Sequence, residues 1–361
     1  AIAKEGAEAR PRRGMYMLSR YAAGLENQDE TIKGITETGQ DDRQYGTSGD
    51  VRLPAALLGD GAVDTNVRAA VESGVDPVDA IQTATLNTAQ ALRVDQELGS
   101  VAPGKVADVV LVDDLNDFRA ETVVADGQVV VEGGELVADI PYPDYPDWVR
   151  DTIDLGGEMT AEDFVVEAEG SEVDVTTIVL PEGGLVTEAG TATLPVEDGA
   201  VQLPDEGDFA KAAMVDRIEG TGRTGLAFVD GFPLEAGAIA FSYNAIRENV
   251  IVEGVSDADM ATAVNHIAEL DGGVVAAKDG EVVAEIPLRL FGIQSEEPVE
   301  TVVSQFDAFG DAIENELGCG HPMPLFSMEF HLCPYPETPG VRITDHGLYH
   351  VGDREKLELF A

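Results

Sequence analysis

The apolar residues change their period at Val94, and that change divides the chain into parts that cannot share one architecture. Before it, PAALLGDGAVDTNVRAAVESGVDP places Leu57, Leu58, Val63, Val67 and Val71 at near-helical spacing. Pro54 stands where a first helical turn accepts it, because the amide it lacks would have no helical partner there. The run VDAIQTATLNTAQAL predicts another helix, with Asp76 as the cap whose carboxylate takes a first-turn amide. Upstream, GMYML at 14–18 is short and apolar, fit for a buried strand; LENQDETIKGITETGQ alternates like a surface helix and turn; RQYGTSGD reads as a weak strand. The order strand, helix, helix suits the last part of a β/α barrel. After Val94, GSVAPGKVADVVLVDD and ETVVADGQVVVEGG are short β runs with DG and GG turns between them, which predicts a small appended sheet.

With 361 residues, 44% of them apolar, the chain can bury more than one core. The expected parts are residues 1–94, the end of a barrel; 95–140, the small β subdomain; 141–163, a proline-rich, acidic linker PYPDYPDWVRDTIDLGGEMTAED; and 164–361, a second full α/β domain. The last holds strands such as VTTIVL and LAFV, a helix at ADMATAVNHIAEL, and a β pair in VVAAKDGEVVAEIPL around an Asp-Gly turn.

Charge narrows the partners. The 69 acidic residues against 22 basic give a formal net of -47, spread along the chain, which disfavours nucleic acid and anionic membrane. Lysine is confined to Lys4, Lys33, Lys105, Lys211, Lys278 and Lys356, so arginine carries most of the positive charge. This balance resembles that of proteins from salt-loving archaea. No DxDxDG loop supports calcium binding instead. Cys319 and Cys333 make no disulfide framework and no CxxC pair, which fits a reducing cytoplasm. No apolar run approaches the roughly 18 residues that span a bilayer, and no secretory leader opens the chain. The start AIAKEGAEARPRRGMY, with its first methionine at Met15, reads as an internal segment of a longer polypeptide.

Few motifs carry chemistry. GTGRTG at 220–225 fits GxGxxG, but LAFVDGF follows it where a phosphate-binding loop needs a helix, so a tight turn between strands is expected. His266, His321, His331, His346 and His350 all fall in the second domain, none at HxH or HExxH spacing. His266 belongs to a periodic helix, at its surface or in the core. His331 and Cys333 form an HxC pair, which is too few ligands for a closed metal site, and a structural role is expected. There is no G-x-S-x-G elbow and no cysteine beside a nearby histidine, so nothing supports a nucleophilic hydrolase. Arg20 and Asp50 are the features of chemical promise in the first 160 residues. An aspartate ending a barrel's last strand faces the mouth where such enzymes work; by spacing alone, Asp50 is an acid at a helix N-terminus, stabilised by the dipole.

Several stretches together resemble adenine deaminases of the amidohydrolase superfamily, in their C-terminal half. RRGMYMLSR is similar to the family's RRGMYVMIREGSA, and GVDPVDAIQTATLNTAQAL to its GVDPxxALxMATLNPAE. GSVAPGKVADVVLVDDLNDF is similar to the superfamily's GxIAPGxxADLVVLDDLxxF. GTGRTGLAFVDGFPLEAGAIA, VIVEGVSDADMATAVNHIAELDGGVVAAKDGEVVAEIPL and TPGVRITDHGLYHV resemble the deaminases' own last domain. The resemblance covers nearly the whole chain.

The family's TDDRHPDDLLEEGH maps here by counting back without gaps from LLGDG: Pro54 on the motif proline, Arg52 on its arginine, Asp50 on its first aspartate. Val51 then replaces the second aspartate, Leu53 the histidine and Ala62 the histidine after glycine. Where the family has HDSHN this chain runs AIREN, keeping only Asn249 and placing Ala245 and Glu248 at the histidine positions. The family's HxH, its other metal ligands and its SDHE motif all precede the part that this chain resembles.

The resemblance implies hydrolytic deamination of adenine to hypoxanthine and ammonia. It also implies a manganese or iron pair that yields hydroxide at neutral pH, with Asp50 as metal ligand and proton relay. Arg20 shapes the pocket or pairs on a helix surface; Asn249 is a weak candidate for substrate binding. One carboxylate cannot hold two cations, so the expected partner is a missing N-terminal barrel segment, with a homo-oligomer left open. Two other readings stay open: a non-catalytic relative kept for binding or assembly, and an amidohydrolase for another cyclic amidine.

Overall fold

Met17, Ser19, Tyr45 and Thr47 all turn inward from two parallel strands, and the first core of the molecule is built under them. In this computed structural model β1 (Met17–Arg20) pairs with β2 (Tyr45–Ser48), in register from Met17 opposite Tyr45 to Arg20 opposite Ser48. The structure describes residues 3–21, 27–180, 186–204, 206–243, 249–335 and 339–361. It forms two units, Ala1–Pro143 and Asp144–Ala361.

In the first unit, α1 (Lys4–Ala9) precedes β1, and α2 (Gln28–Thr36) lies in the crossover that a parallel pair requires. Ile32 of α2 packs with Val67, Ala70 and Ala80 from the helices that follow β2, and with Val75 in the turn between two of them. Those helices are α3 (Pro54–Gly59), α4 (Val63–Glu72), α5 (Pro77–Ala84) and α6 (Leu86–Leu92). The periodic run from Pro54 is two helices because Gly61 turns the backbone left-handed at φ 101 and Asp64 accepts from the Ala62 amide at 2.8 Å. Asp76 caps α5 as expected, accepting from the Val78 amide at 2.9 Å. Beyond Val94, β3 (Val109–Val112), β4 (Ala120–Ala125), β5 (Gln128–Glu132) and β6 (Glu135–Leu136) make one antiparallel sheet. Its β4–β5 turn uses Asp126 and Gly127, both at positive φ.

The second unit is built on a sheet in the order β15-β14-β12-β13-β10-β11-β7-β8-β9, parallel only between β11 and β7. The strands are β7 (Glu172–Val179), β8 (Glu188–Glu197), β9 (Ala200–Val201), β10 (Phe209–Val215), β11 (Thr224–Asp230), β12 (Ala238–Phe241), β13 (Val250–Gly254), β14 (Gly273–Lys278) and β15 (Glu281–Pro287). Helix α7 (Asp257–Leu270) sets Met260, Ala263, Val264 and Ile267 against one face. Helices α8 (Val299–Asn315) and α9 (Pro324–Leu332) set Phe309, Ile313, Met328 and Leu332 in the core on the other. With both faces covered, β12 and β13 are buried at every position, and their sequences AIAF and VIVEG run without polar alternation until Glu253. A smaller sheet of β16 (Val341–Thr344), β17 (Gly347–His350) and β18 (Glu355–Lys356) completes the unit.

Two sequence readings meet the structure here. GTGRTG belongs to the β10–β11 connection, with Val215 opposite Thr224 and positive φ at Gly220 and Gly222. A side chain at Gly225 would collide with the Thr344 carbonyl, so close packing accounts for that glycine. The stretch 141–163, expected as linker, contains the unit boundary, but most of it packs into the second unit. Leu155 and Met159 are buried in the α7 core, and Val149 accepts from the Phe291 amide at 2.7 Å. Its scattered large apolar residues outweigh its prolines and acids in deciding where it lies.

Candidate functional site

Parallel pairing brings Arg20 and Asp50 together across 30 residues of sequence. Arg20 ends β1 opposite Ser48, and the chain leaving β2 turns at Asp50, whose φ of 49° is left-handed. Aspartate tolerates that conformation better than most residues because its short side chain bonds locally. Here Oδ1 accepts from the Val51 amide at 2.9 Å and Oδ2 from the Arg20 guanidinium at 2.5 Å. The pair lies at the carboxyl ends of both strands, where open and closed α/β sheets hold their ligands. Side chains about 30% and 28% exposed make this a positioning contact rather than a large source of stability.

This placement corrects two expectations. Arg20 is on a strand end, not a helix surface. Asp50 lies outside the first turn of α3, which starts at Pro54 with Leu53 as its cap, so a helix dipole is not what it serves. Beside the pair, the Arg52 guanidinium sits 5.5 Å from the Tyr21 ring centroid and donates to the Ala62 carbonyl at 3.1 Å. Val51 and Leu53 are exposed and apolar. Tyr21 was missed from sequence, and no local signal marks it, because its role depends on an arginine 31 positions later.

Among the described residues, no group of three or more His, Cys, Asp or Glu side chains is placed to hold a metal ion. Asp50 supplies a single carboxylate at the strand ends, already shared with a guanidinium. The described residues by themselves therefore do not fit a metal pair, and no chemical step is derived through one.

Asn249 belongs to the second unit, buried just before β13. Ala245 and Glu248 lie outside the described residues. Four residues after Asn249, Glu253 is fully buried, and its Oε2 lies 3.0 Å from His331 Nε2. Its Oε1 has no hydrogen-bond partner among the described residues. The other nitrogen of His331 is 3.2 Å from Ser327 Oγ, and the ring leans on Phe232 at 5.6 Å. His331 is thus committed to Glu253, while burial pushes the Cys333 thiol well above its usual range; the two make no ligand pair. Cys319 and His321 line a cavity of about 900 Å³ with Glu235, Asp311 and Glu314. Burial raises the Cys319 thiol pKa, and burial followed by the neighbouring His331 lowers that of His321. A thiol whose pKa burial raises is no activated nucleophile. His266, on the surface of α7, bridges Glu269 at 2.9 Å and Glu285 at 2.6 Å.

Residues 184–355 match the family model of the adenine deaminase C-terminal domain, and residues 38–130 that of the amidohydrolase family. The adenine deaminase of Moorella thermoacetica is 39% identical over 346 residues, which covers 95% of this chain and 58% of that protein. Adenine deaminases of Clostridium botulinum and Mesorhizobium japonicum are 34% and 36% identical over 359 and 360 residues, each match covering 99% of this chain and 59% of the relative. A solved β-aspartyl dipeptidase from Fervidobacterium islandicum shares 22% identity over 39% of this chain and 38% of that one, with a TM-score of 0.31. The chain spans less than two thirds of the length of these curated relatives. No helix among the described residues is long and apolar enough to cross a membrane.

Proposed function

We propose that this chain is the C-terminal part of an adenine deaminase of the amidohydrolase superfamily, which hydrolyses adenine to hypoxanthine and ammonia. The observation that carries the reading is 39% identity to such an enzyme over 95% of the chain. The two family matches fall one in each structural unit, which supports the same division of labour in both. Residues 1–94 are then the end of a β/α barrel, 95–140 its small β subdomain and 164–361 the deaminases' own last domain. In support, β1 and β2 are parallel with a helix in their crossover, and Leu18, on their other face, is 47% exposed.

Asp50 is this chain's contribution to the reacting centre, and Arg20 positions its carboxylate. The other ligands of a manganese or iron pair come from a barrel segment outside these 361 residues, which is the chain's first partner. The acidic surface suits a cell with concentrated salt, of the halophilic archaeal kind.

The test is ammonia release from adenine with manganese or iron(II) supplied. The isolated chain is expected to be inactive. Co-expressed with the N-terminal two fifths of the Moorella thermoacetica enzyme, it should gain turnover that Asp50→Asn abolishes. Turnover by the isolated chain would refute the division of the metal site; a stable complex without turnover would refute the deaminase reading. That last result would favour a non-catalytic binding or assembly relative, the reading to which Leu53, Ala62 and the Arg20 grip on Asp50 lend support.

A further inference from the structure

Asp50 sits on a segment that packing alone does not hold. Between the end of β2 and the start of α3, a side chain at Gly49 would meet nothing within 4 Å, and Val51 and Leu53 are 43% and 41% exposed. Yet Asp50 keeps a left-handed φ of 49°, a conformation that a residue other than glycine retains only where its surroundings over-determine it. The hold must therefore come from the side chains of Asp50 and Arg52.

The carboxylate is gripped by Arg20 at the end of β1. Arg52 reaches two other points. Its guanidinium lies 5.5 Å from the ring centroid of Tyr21, the residue after Arg20, and its Nη2 donates to the Ala62 carbonyl at 3.1 Å. That carbonyl belongs to a turn fixed from several sides. Asp64 Oδ1 accepts from the Ala62 amide at 2.8 Å, and Arg68 donates to Asp64 Oδ2 at 2.8 Å and to the Phe118 carbonyl at 3.4 Å. Asn66, on the same helix, donates to the Ser48 carbonyl at 2.9 Å and so ties α4 to the end of β2. Arg52 is thus anchored to β1 through Tyr21, and to β2 through Ala62, α4 and Asn66.

We propose that Arg52 is a positioning residue for Asp50: it fixes the backbone on which the carboxylate turns, while Arg20 fixes the carboxylate itself. Arg20, on β1, reaches the segment after β2, and Arg52, on that segment, reaches the ring after β1. A carboxylate held by Arg20 alone would move with its segment; the second arginine removes that freedom. The inference rests on the reading of Asp50 as this chain's contribution to the reacting centre. Stacking of a guanidinium on a partly exposed ring adds little to stability, so losing Arg52 acts on geometry rather than on folding. A reacting group displaced by about 1 Å loses on the order of 100-fold in rate.

In the 361-residue chain, hydrogen exchange of residues 49–53, read by mass spectrometry, should quicken about fivefold in Arg52→Met. Exchange of β2 and the thermal midpoint should stay as in the parent chain. Arg52→Lys keeps a cation over the ring and a donor for Ala62, and should exchange like the parent. Tyr21→Leu should reproduce Arg52→Met, whereas Tyr21→Phe, which keeps the ring, should not. In the complex co-expressed with the N-terminal part of the Moorella thermoacetica enzyme, Arg52→Met should lower kcat for adenine by about tenfold or more, with KM within about twofold. The proposal is overturned by unchanged exchange at 49–53, by exchange that quickens equally in β2, or by an undiminished kcat. If the unaltered complex shows no turnover, the deaminase reading fails and the exchange of the four variants alone decides the role of Arg52. Should Arg52→Met not fold, the two Tyr21 variants decide it.

Discussion

Replacing His331 by alanine should destabilise the second unit more than any surface substitution. Glu253 is fully buried on β13, one oxygen 3.0 Å from His331 Nε2 and the other without a partner among the described residues. Removing the imidazole leaves the Glu253 side chain enclosed in the sheet with no partner among the described residues for either oxygen. Stripping one partner from a buried pair costs about 3–5 kcal/mol, against a total stability of roughly 5–15 kcal/mol for a domain. For a unit of this size the melting midpoint should fall by about 10 °C. Urea unfolding followed by far-UV circular dichroism, in fixed high salt, measures the loss. Glu253→Gln keeps a group that bonds to the ring and should cost only about 1–2 kcal/mol. The double variant Glu253→Met with His331→Leu removes both polar groups and should recover most of the stability. The reasoning fails if His331→Ala lies within about 1 kcal/mol of the parent protein, or if the double variant is as damaged as the single one.

Lowering salt should unfold the chain, because a net charge of -47 is screened within about 3 Å at 1 M but only within about 10 Å at 0.1 M. An unchanged midpoint between dilute buffer and several molar potassium chloride would contradict this. At His266 burial opposes the charged form, but the hydrogen bonds its ring nitrogens donate to Glu285 and Glu269 prevail and raise its pKa. A raised value means that the stabilisation is complete below the ordinary histidine range and fades as pH rises through the folded value. His266→Gln should therefore cost more at about pH 5.5 than at about pH 8.5 in paired denaturation curves; equal costs would reject the assignment. Arg20→Met should change stability by less than about 1 kcal/mol, since the pair is partly exposed, yet depress adenine turnover of a reconstituted enzyme. A loss of folding without a separate loss of turnover would make Arg20 structural.

What could be read from the sequence depended on whether the deciding contact was local. Asp76 announced its helix because its partner is two residues away, and the Asp279-Gly280 turn announced its hairpin because both strands adjoin it. The unbroken apolar runs of β12 and β13 carry a local signal of the same kind, since a strand covered on both faces has no solvent side to encode. Motif register picked out Asp50, but its contact with Arg20 follows only from parallel pairing across a helical crossover. Glu253 shows the opposite failure. It sits in VIVEG as an acid among hydrophobics, where periodicity makes it a strand end in solvent, and only His331, 78 residues on, makes its burial tolerable. The same holds for Ser19 and Thr47, whose hydroxyls resemble ordinary surface residues until the fold sets them against hydroxyls on α2 and α5. Buried polar groups are thus the positions that sequence patterns describe worst. They are also those whose chemistry is most narrowly determined once the fold supplies their neighbours, because each donor must end on a particular acceptor.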